Sequence, residues 1–272
     1  MLTAEQFEKA KQFIYRHGDL LTRRRFAYHF EGGSRQRVLD ALACYQNDDG
    51  GFGNGLELDI TCPASNGVST WLALWYLFDL EAADSPMIDR AIGWVLAAAA
   101  PDGDVVHPAD AVKAYPHGQW WEKNSGSILP IAGMLARLGK HHPAIEARAA
   151  SVFAATQVPF PQEIYVSYGY EAGMYLRFGD GATRFPDCRE RLEAAFPHML
   201  QKAVEHPLFC FSNAWDSPEI PISLWRAEAE RAVAALQPDG GVVIECYASL
   251  PWWRPVWTMD MLAVMKRKGL LV

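Results

Sequence analysis

Helices of two kinds alternate along this chain, and that alternation restricts its architecture more than any other feature. One kind is amphipathic, with charges on its outer face. The spacing predicts such a helix over Thr3–His17, where Thr3 and Gln6 stand in capping-box register. Another is predicted over Ser34–Gln46, where Val38, Ala41, Leu42 and Tyr45 form one stripe. Further members start at Ser85, with Pro86 in the first turn, and at Pro143, and others run near Pro186–Val204 and Pro221–Gln237. The second kind is apolar nearly all round. Gly67–Leu80 carries its charge at Asp79, Ser125–Leu138 carries its charge at Arg137, and Ser167–Phe178 and Trp257–Met265 are similar. A helix that is hydrophobic on every side must be enclosed by protein. An exposed helix followed by a buried one, repeated, implies an inner layer wrapped by an outer one. Antiparallel hairpins closed into an (α/α) barrel meet that requirement, whereas an open solenoid leaves each helix a solvent face. The expected fold is all-α: a toroid of about six helical hairpins. It forms a single domain over residues 1–272, with short β pieces such as Gly241–Cys246 in its rim loops.

Composition excludes several classes of function. Half of the residues are hydrophobic and 21% are charged, enough to bury a large core. The formal net charge of -7 argues against a nucleic-acid partner, which needs a concentrated basic surface. The longest uncharged run, Ile60–Phe78, is broken by Pro63 and Gly67, so no integral membrane span is expected. The N-terminal residues are charged throughout and do not read as a signal peptide. Five cysteines, Cys44, Cys62, Cys188, Cys210 and Cys246, include no Cys-x-x-Cys pair. They suggest neither a disulfide framework nor a thiolate zinc site, and the cytoplasm is the expected compartment. No cofactor or metal is expected either. The chain lacks Gly-x-Ser-x-Gly, a phosphate-binding Gly-x-x-x-x-Gly-Lys loop and His-Glu-x-x-His.

A turn recurs after amphipathic helices. It reads Gln46-Asn-Asp-Asp-Gly50-Gly-Phe52, then Ala99-Ala-Pro-Asp-Gly103-Asp-Val105, then Gln237-Pro-Asp-Gly-Gly241-Val-Val243. Asp serves neighbouring amides and Gly tolerates positive φ, so Gln46, Asp48 and Asp49 read as braces between helix ends. Gln46-x-x-x-Gly50-x-Phe52 resembles the Gln-Trp repeat of the terpenoid cyclases, a superfamily of (α/α) toroids that includes the protein prenyltransferase β subunits. The resemblance implies the toroid fold and a hydrophobic, isoprenoid-like substrate. The catalytic motifs of that superfamily are not carried over. Asp-x-Asp-Asp is absent, with Asp102-Gly-Asp104 stopping short. Asp-Asp-x-x-Asp and the Asp-x-Cys of the zinc site are absent too, and Asp59-Ile-Thr-Cys62 has the wrong spacing.

Candidate chemistry gathers in the segments ahead of the apolar helices. Glu57 and Asp59 stand among apolar residues before Gly67, where burial of an unpaired carboxylate is costly. Close together they would repel, and one would keep its proton for acid catalysis. The alternative is that Asp59 or Thr61 caps the next helix and Glu57 pairs with an arginine. Before the second apolar helix, His117 is a candidate proton relay, Tyr115, Trp120 and Trp121 are candidate walls of a pocket, and Asn124 is a candidate ligand-orienting group. Tyr168 and Tyr170 precede the third. Trp252, Trp253 and Trp257 precede or open the last, with Asp260 one turn in. Aromatic faces of this kind bind cationic intermediates or stack on sugars. Three readings follow. The first is an enzyme that protonates a hydrophobic small molecule in the barrel. The second is a carbohydrate-active (α/α) barrel, a glycoside hydrolase or lyase. The third is a binding protein that kept the ring without its chemistry.

Overall fold

The computed structural model describes residues 2–106, 108–122, 126–156, 171–194, 220–243 and 251–271. They are mostly helical, and they contain isolated β-bridges but no extended strand. The helices are α1 (Ala4–His17), α2 (Leu20–Phe30), α3 (Arg35–Ala43), α4 (Gly67–Asp79), α5 (Pro86–Ala98) and α6 (Ala109–Lys113). They continue as α7 (Ile128–Arg137), α8 (Pro143–Thr156), α9 (Glu171–Phe178), α10 (Gly181–Arg184), α11 (Ile222–Ala234) and α12 (Arg254–Arg267). Residues 186–194 are also helical; the rest of the Pro186–Val204 expectation lies outside the described residues. None of the described helices is long and apolar enough to cross a membrane. The chain forms two compact units, Met1–Ala41 with Phe196–Val272, and Leu42–Ala195.

The two kinds of helix differ in burial as their sequences require. In α1 the capping box forms: the Gln6 N–H donates to Thr3 Oγ1 at 3.1 Å and the Thr3 N–H to Gln6 Oε1 at 2.9 Å. Its buried stripe is Ala10, Phe13 and Ile14. Helix α5, capped by Ser85, buries Met87, Ile88, Ala91, Trp94 and Val95, one face of a helical repeat. By contrast, α7 buries every residue from Ile128 to Leu135. In α4 buried residues include Thr70, Ala73, Leu74, Trp75, Tyr76 and Leu77. In the second unit α7 packs between α4 and α9, and α5 packs beside α8. In the first unit α12 packs against α1, α2 and α11. Helix α2 was not expected. In its run Arg23–Arg24–Arg25, Arg25 is 1% exposed and donates to Asp260 of α12 at 2.7 Å. Asp19 caps it, with Oδ1 accepting the Thr22 N–H at 2.6 Å.

The recurring turn has one geometry in all three copies. Gly50, Gly103 and Gly240 have φ of +94°, +93° and +91°, a region that favours glycine. Each donates its N–H three residues back, to the carbonyls of Asn47 (3.0 Å), Ala100 (2.8 Å) and Gln237 (2.8 Å). Asp49, Asp102 and Asp239 each accept from the amide two residues on, at 2.9, 3.0 and 2.9 Å. This register aligns Gly240, not Gly241, with Gly50, and Val242, not Val243, with Phe52. Leu236 therefore stands where Gln46 does, and the bridges Gln46–Phe52 and Leu236–Val242 agree with that shift. The sequence alignment on glutamine was one residue out because Gly240–Gly241 offers two glycines to match.

Each glycine faces an amphipathic helix. A side chain at Gly50 would run into the Arg90 carbonyl of α5, one at Gly240 into the Lys9 carbonyl of α1, and one at Gly103 would meet Arg148 of α8. The residue two positions further on is tied to the apolar helix. The Phe52 N–H donates to Thr70 Oγ1 at 3.1 Å, and the Val242 N–H to Thr258 Oγ1 at 3.0 Å. In the middle turn the Ser127 N–H bonds the Val105 carbonyl as the Asn66 N–H bonds that of Phe52. Four residues beyond Ser127 stands Ile131, which has no hydroxyl. Asp104 takes over: its Oδ1 accepts the Val105 N–H at 2.7 Å and the Ile128 N–H at 3.0 Å. Asp104 occupies the position of Gly51 and Gly241, where a side chain would strike Trp94 or Phe13 at 2.5 Å. The matching residue of α8, four beyond Arg148, is the smaller Val152.

These bonds predict that Thr70→Val and Thr258→Val each destabilise the protein by about 1–3 kcal/mol, because a buried N–H loses its acceptor while shape is kept. Thr→Ser at the same positions should cost less. Urea denaturation midpoints test the ranking.

Candidate functional site

The loop between the first turn and α4 reverses on two residues of positive φ, Asn54 at +55° and Gly55 at +74°. The Asn54 side-chain amide donates to Asn47 Oδ1, and the Asn47 amide donates to the Pro63 carbonyl and to Ser65 Oγ, each at 2.9 Å. Gln46 donates to the carbonyls of Gly50 (2.8 Å) and Met87 (2.9 Å), and Asp49 Oδ1 accepts from Ser65 Oγ at 2.7 Å. Gln46 and Asp49 thus brace the turn, as their sequence context suggests.

Past this braced base, the chain turns inward at Leu56–Ile60, both of which are buried. The Ile60 N–H closes onto the Glu57 carbonyl at 2.9 Å, and the Glu57 N–H points to Ser69 Oγ of α4 at 3.4 Å. This places Glu57 at 7% exposure and Asp59 at 6%. The cap of α4 is Asn66, whose Oδ1 accepts the Ser69 N–H at 2.8 Å, so neither Asp59 nor Thr61 is used as a cap. Loss of solvation pushes the Glu57 carboxyl up to about 8, and the charge of Asp59 pushes in the same direction. The Asp59 N–H, bonded to the Glu57 carboxyl, pulls the other way with less effect. Glu57 therefore keeps its proton at neutral pH beside a second carboxyl group.

The segment at 115–118 is paired to this loop. The Gly118 N–H donates to the Asp59 carbonyl at 2.9 Å, the Thr61 N–H to Pro116 at 3.3 Å, and Ile60 faces His117 across an antiparallel bridge. His117 Nδ1 lies 2.7 Å from the Tyr115 carbonyl; the acceptor places the proton of the neutral ring on Nδ1 and leaves a lone pair on Nε2. Trp121 packs on the cluster of Ile60, Cys62 and Val112. Tyr115 is exposed. Glu57, Asp59, Tyr115, His117 and Trp121 thus share one region of the second unit. Asn124, Tyr168, Tyr170 and the side chain of Trp120 lie outside the described residues.

The remaining candidates belong to the first unit. Trp253 stacks on Trp257 with ring centres 6.0 Å apart, and Trp252 is 50% exposed. Asp260 is engaged by Arg25. Arg254 grips Asp239 with two bonds, at 2.9 and 2.7 Å, and covers the Phe13 ring at 4.7 Å. Two contributors escaped the sequence reading. Ser69 sits in an apolar helix where serine carries no signal, and Arg25 is hidden in its basic run. No protein-family model matches this chain, nor does a curated protein or a solved structure.

A raised carboxyl makes the folded state bind a proton that the unfolded chain releases. Starting from the ordinary 4.5 and ending near 8, Glu57 contributes stability that is fully present below about pH 4.5 and lost as pH rises to about 8. The loss is on the order of a few kcal/mol. Glu57→Gln should erase that decline, making the variant more stable than wild type at pH 8.5 but not at pH 5. Denaturation across this pH range checks the crossover.

Proposed function

We propose that this chain is an enzyme on an (α/α) toroid scaffold that protonates a hydrophobic, isoprenoid-like small molecule, with Glu57 as the acid. The observation that carries this reading is the burial of the Glu57 carboxyl beside Asp59, which raises its pKa and favours the protonated form. For the scaffold, the support is the repeated seating of a turn between an amphipathic helix and an apolar one. In the first unit this includes the last turn, which sits on α1, and the last helix, which packs on α1 and α2.

In the proposed step the Glu57 Oε–H bond breaks and its proton goes to one carbon of a substrate double bond. The π electrons form the new C–H bond, and the adjacent carbon becomes cationic. The Asp59 carboxylate stabilises that charge in surroundings of low polarity, where such attraction is strong. Collapse of the cation by ring closure and proton loss returns the proton to Glu57. His117, which faces Ile60 across the bridge, relays protons between Glu57 and solvent. Leu56 and Ile60 make the surroundings apolar, which suits a hydrocarbon better than a glycan.

Incubation with squalene-like chains and prenyl diphosphates in D₂O tests the reading. The expected product carries one carbon-bound deuterium from the protonation step, and Glu57→Gln should reduce its formation at least 100-fold while the helical spectrum is unchanged. Recovery of unchanged substrate across the panel, with glycan cleavage that depends on Glu57, would transfer the acid role to a carbohydrate-active enzyme.

A further inference from the structure

We propose that residues 108–122 are a strap latched over the Glu57–Asp59 loop, and that the strap lifts to admit a substrate. The proposal rests on the reading of Glu57 as the acid. A carboxyl that protonates another molecule must touch it, yet Glu57 and Asp59 are 7% and 6% exposed. Some covering element therefore has to move, and the segment at 115–118 is paired to the backbone at Asp59 and just beyond it, at Ile60 and Thr61.

Its backbone fastening is one short ladder. Around the Ile60–His117 bridge lie the Gly118 N–H to Asp59 bond and the Thr61 N–H to Pro116 bond, joined by the Thr61 hydroxyl to the same Pro116 carbonyl at 2.6 Å. Residues opposed as Thr61 and Pro116 are normally exchange two backbone bonds. Proline has no N–H, so the return bond is missing. The ladder is an isolated bridge and gains nothing from neighbouring strands. Apolar contact adds Val112 and Trp121 against Ile60 and Cys62. Within the strap, α6 has five residues and no side-chain cap, and Gln119–Glu122 forms one 3-10 turn. Helices this short are not stable by themselves. A segment held by few backbone bonds opens at a fraction of the global unfolding free energy.

Amide exchange and a reversible cross-link test the strap. In wild type the Gly118 N–H should exchange at least 100-fold faster than the Phe52 N–H, which is bonded to Thr70 inside the core. Thr61 and Pro116 are both exposed and opposed across the ladder, a spacing of about 5.5 Å between Cα atoms that a disulfide can bridge. Oxidation of Thr61→Cys/Pro116→Cys should slow Gly118 exchange at least tenfold and lower product formation at least tenfold, both restored by reduction. Wild type under the same oxidation should change in neither respect. Gly118 exchanging as slowly as Phe52, or an oxidised variant turning over as fast as the reduced one, would overturn the strap. Fast Gly118 exchange that the cross-link suppresses, with no substrate converted by any form, would support the strap and reject the acid catalysis.

Discussion

The structure depends on the seating of a glycine turn between two helices. At Gly50, Gly103 and Gly240 the backbone takes a positive φ, and at two of them a side chain would collide with a carbonyl of the neighbouring amphipathic helix. The amide two residues further on is then directed at an acceptor, Thr70, Asp104 or Thr258. Those bonds settle where each apolar helix begins. The segments between Phe52 and Asn66, Val105 and Ser127, and Val242 and Arg254 differ from one another in length and sequence. They carry the two acids, the His117 segment and the indoles of Trp252 and Trp253. A repeated scaffold with variable loops is how one fold supports chemistry without specifying it.

The electrostatics of Glu57 follow from that scaffold. The loop is braced at its base by Asn47, Asn54 and Asp49, so it cannot swing its acids into water without breaking several bonds. Burial disfavours the charged form of Glu57, and the charge of Asp59 opposes a second one beside it. Retaining a proton on Glu57 relieves both effects on that group. The single amide donor from Asp59 is too little to keep Glu57 ionised, whereas carboxylates that accept several such donors stay charged. Asp104 makes the comparison within this chain. Burial raises it as well, but three amides, of Ile128, Val105 and Ser127, work against the rise.

Much of this was legible in the sequence where the signal was local. Capping at Thr3 and Ser85, the apolar runs of α4, α7 and α12, and the Asp-Gly turns all depend on residues within a few positions of one another. What was not legible depends on distance. Arg25 pairs with Asp260 from the far end of the chain, and no local pattern announces that pair or the helix α2 that carries it. The two glycines of the third turn leave its register open in the sequence, and contacts with Lys9 and Thr258, distant in the chain or beyond the turn, fix it on Gly240. For the candidate site, the apolar neighbours of Glu57 and Asp59 revealed their burial. Their pairing with the His117 segment did not show, because a single bridge between two loops leaves no periodic trace.

The protonation state of Glu57 can be measured directly. The carboxyl carbon of selectively labelled Glu57, followed by NMR between pH 3 and pH 10 with Glu57→Gln as the blank for assignment, reports it without any substrate. A midpoint near 8 is expected, displaced downward when Asp59→Asn removes the neighbouring charge. A midpoint below about 5 would mean that Glu57 is an ordinary ionised carboxylate, and the case for an acid at this site would be lost.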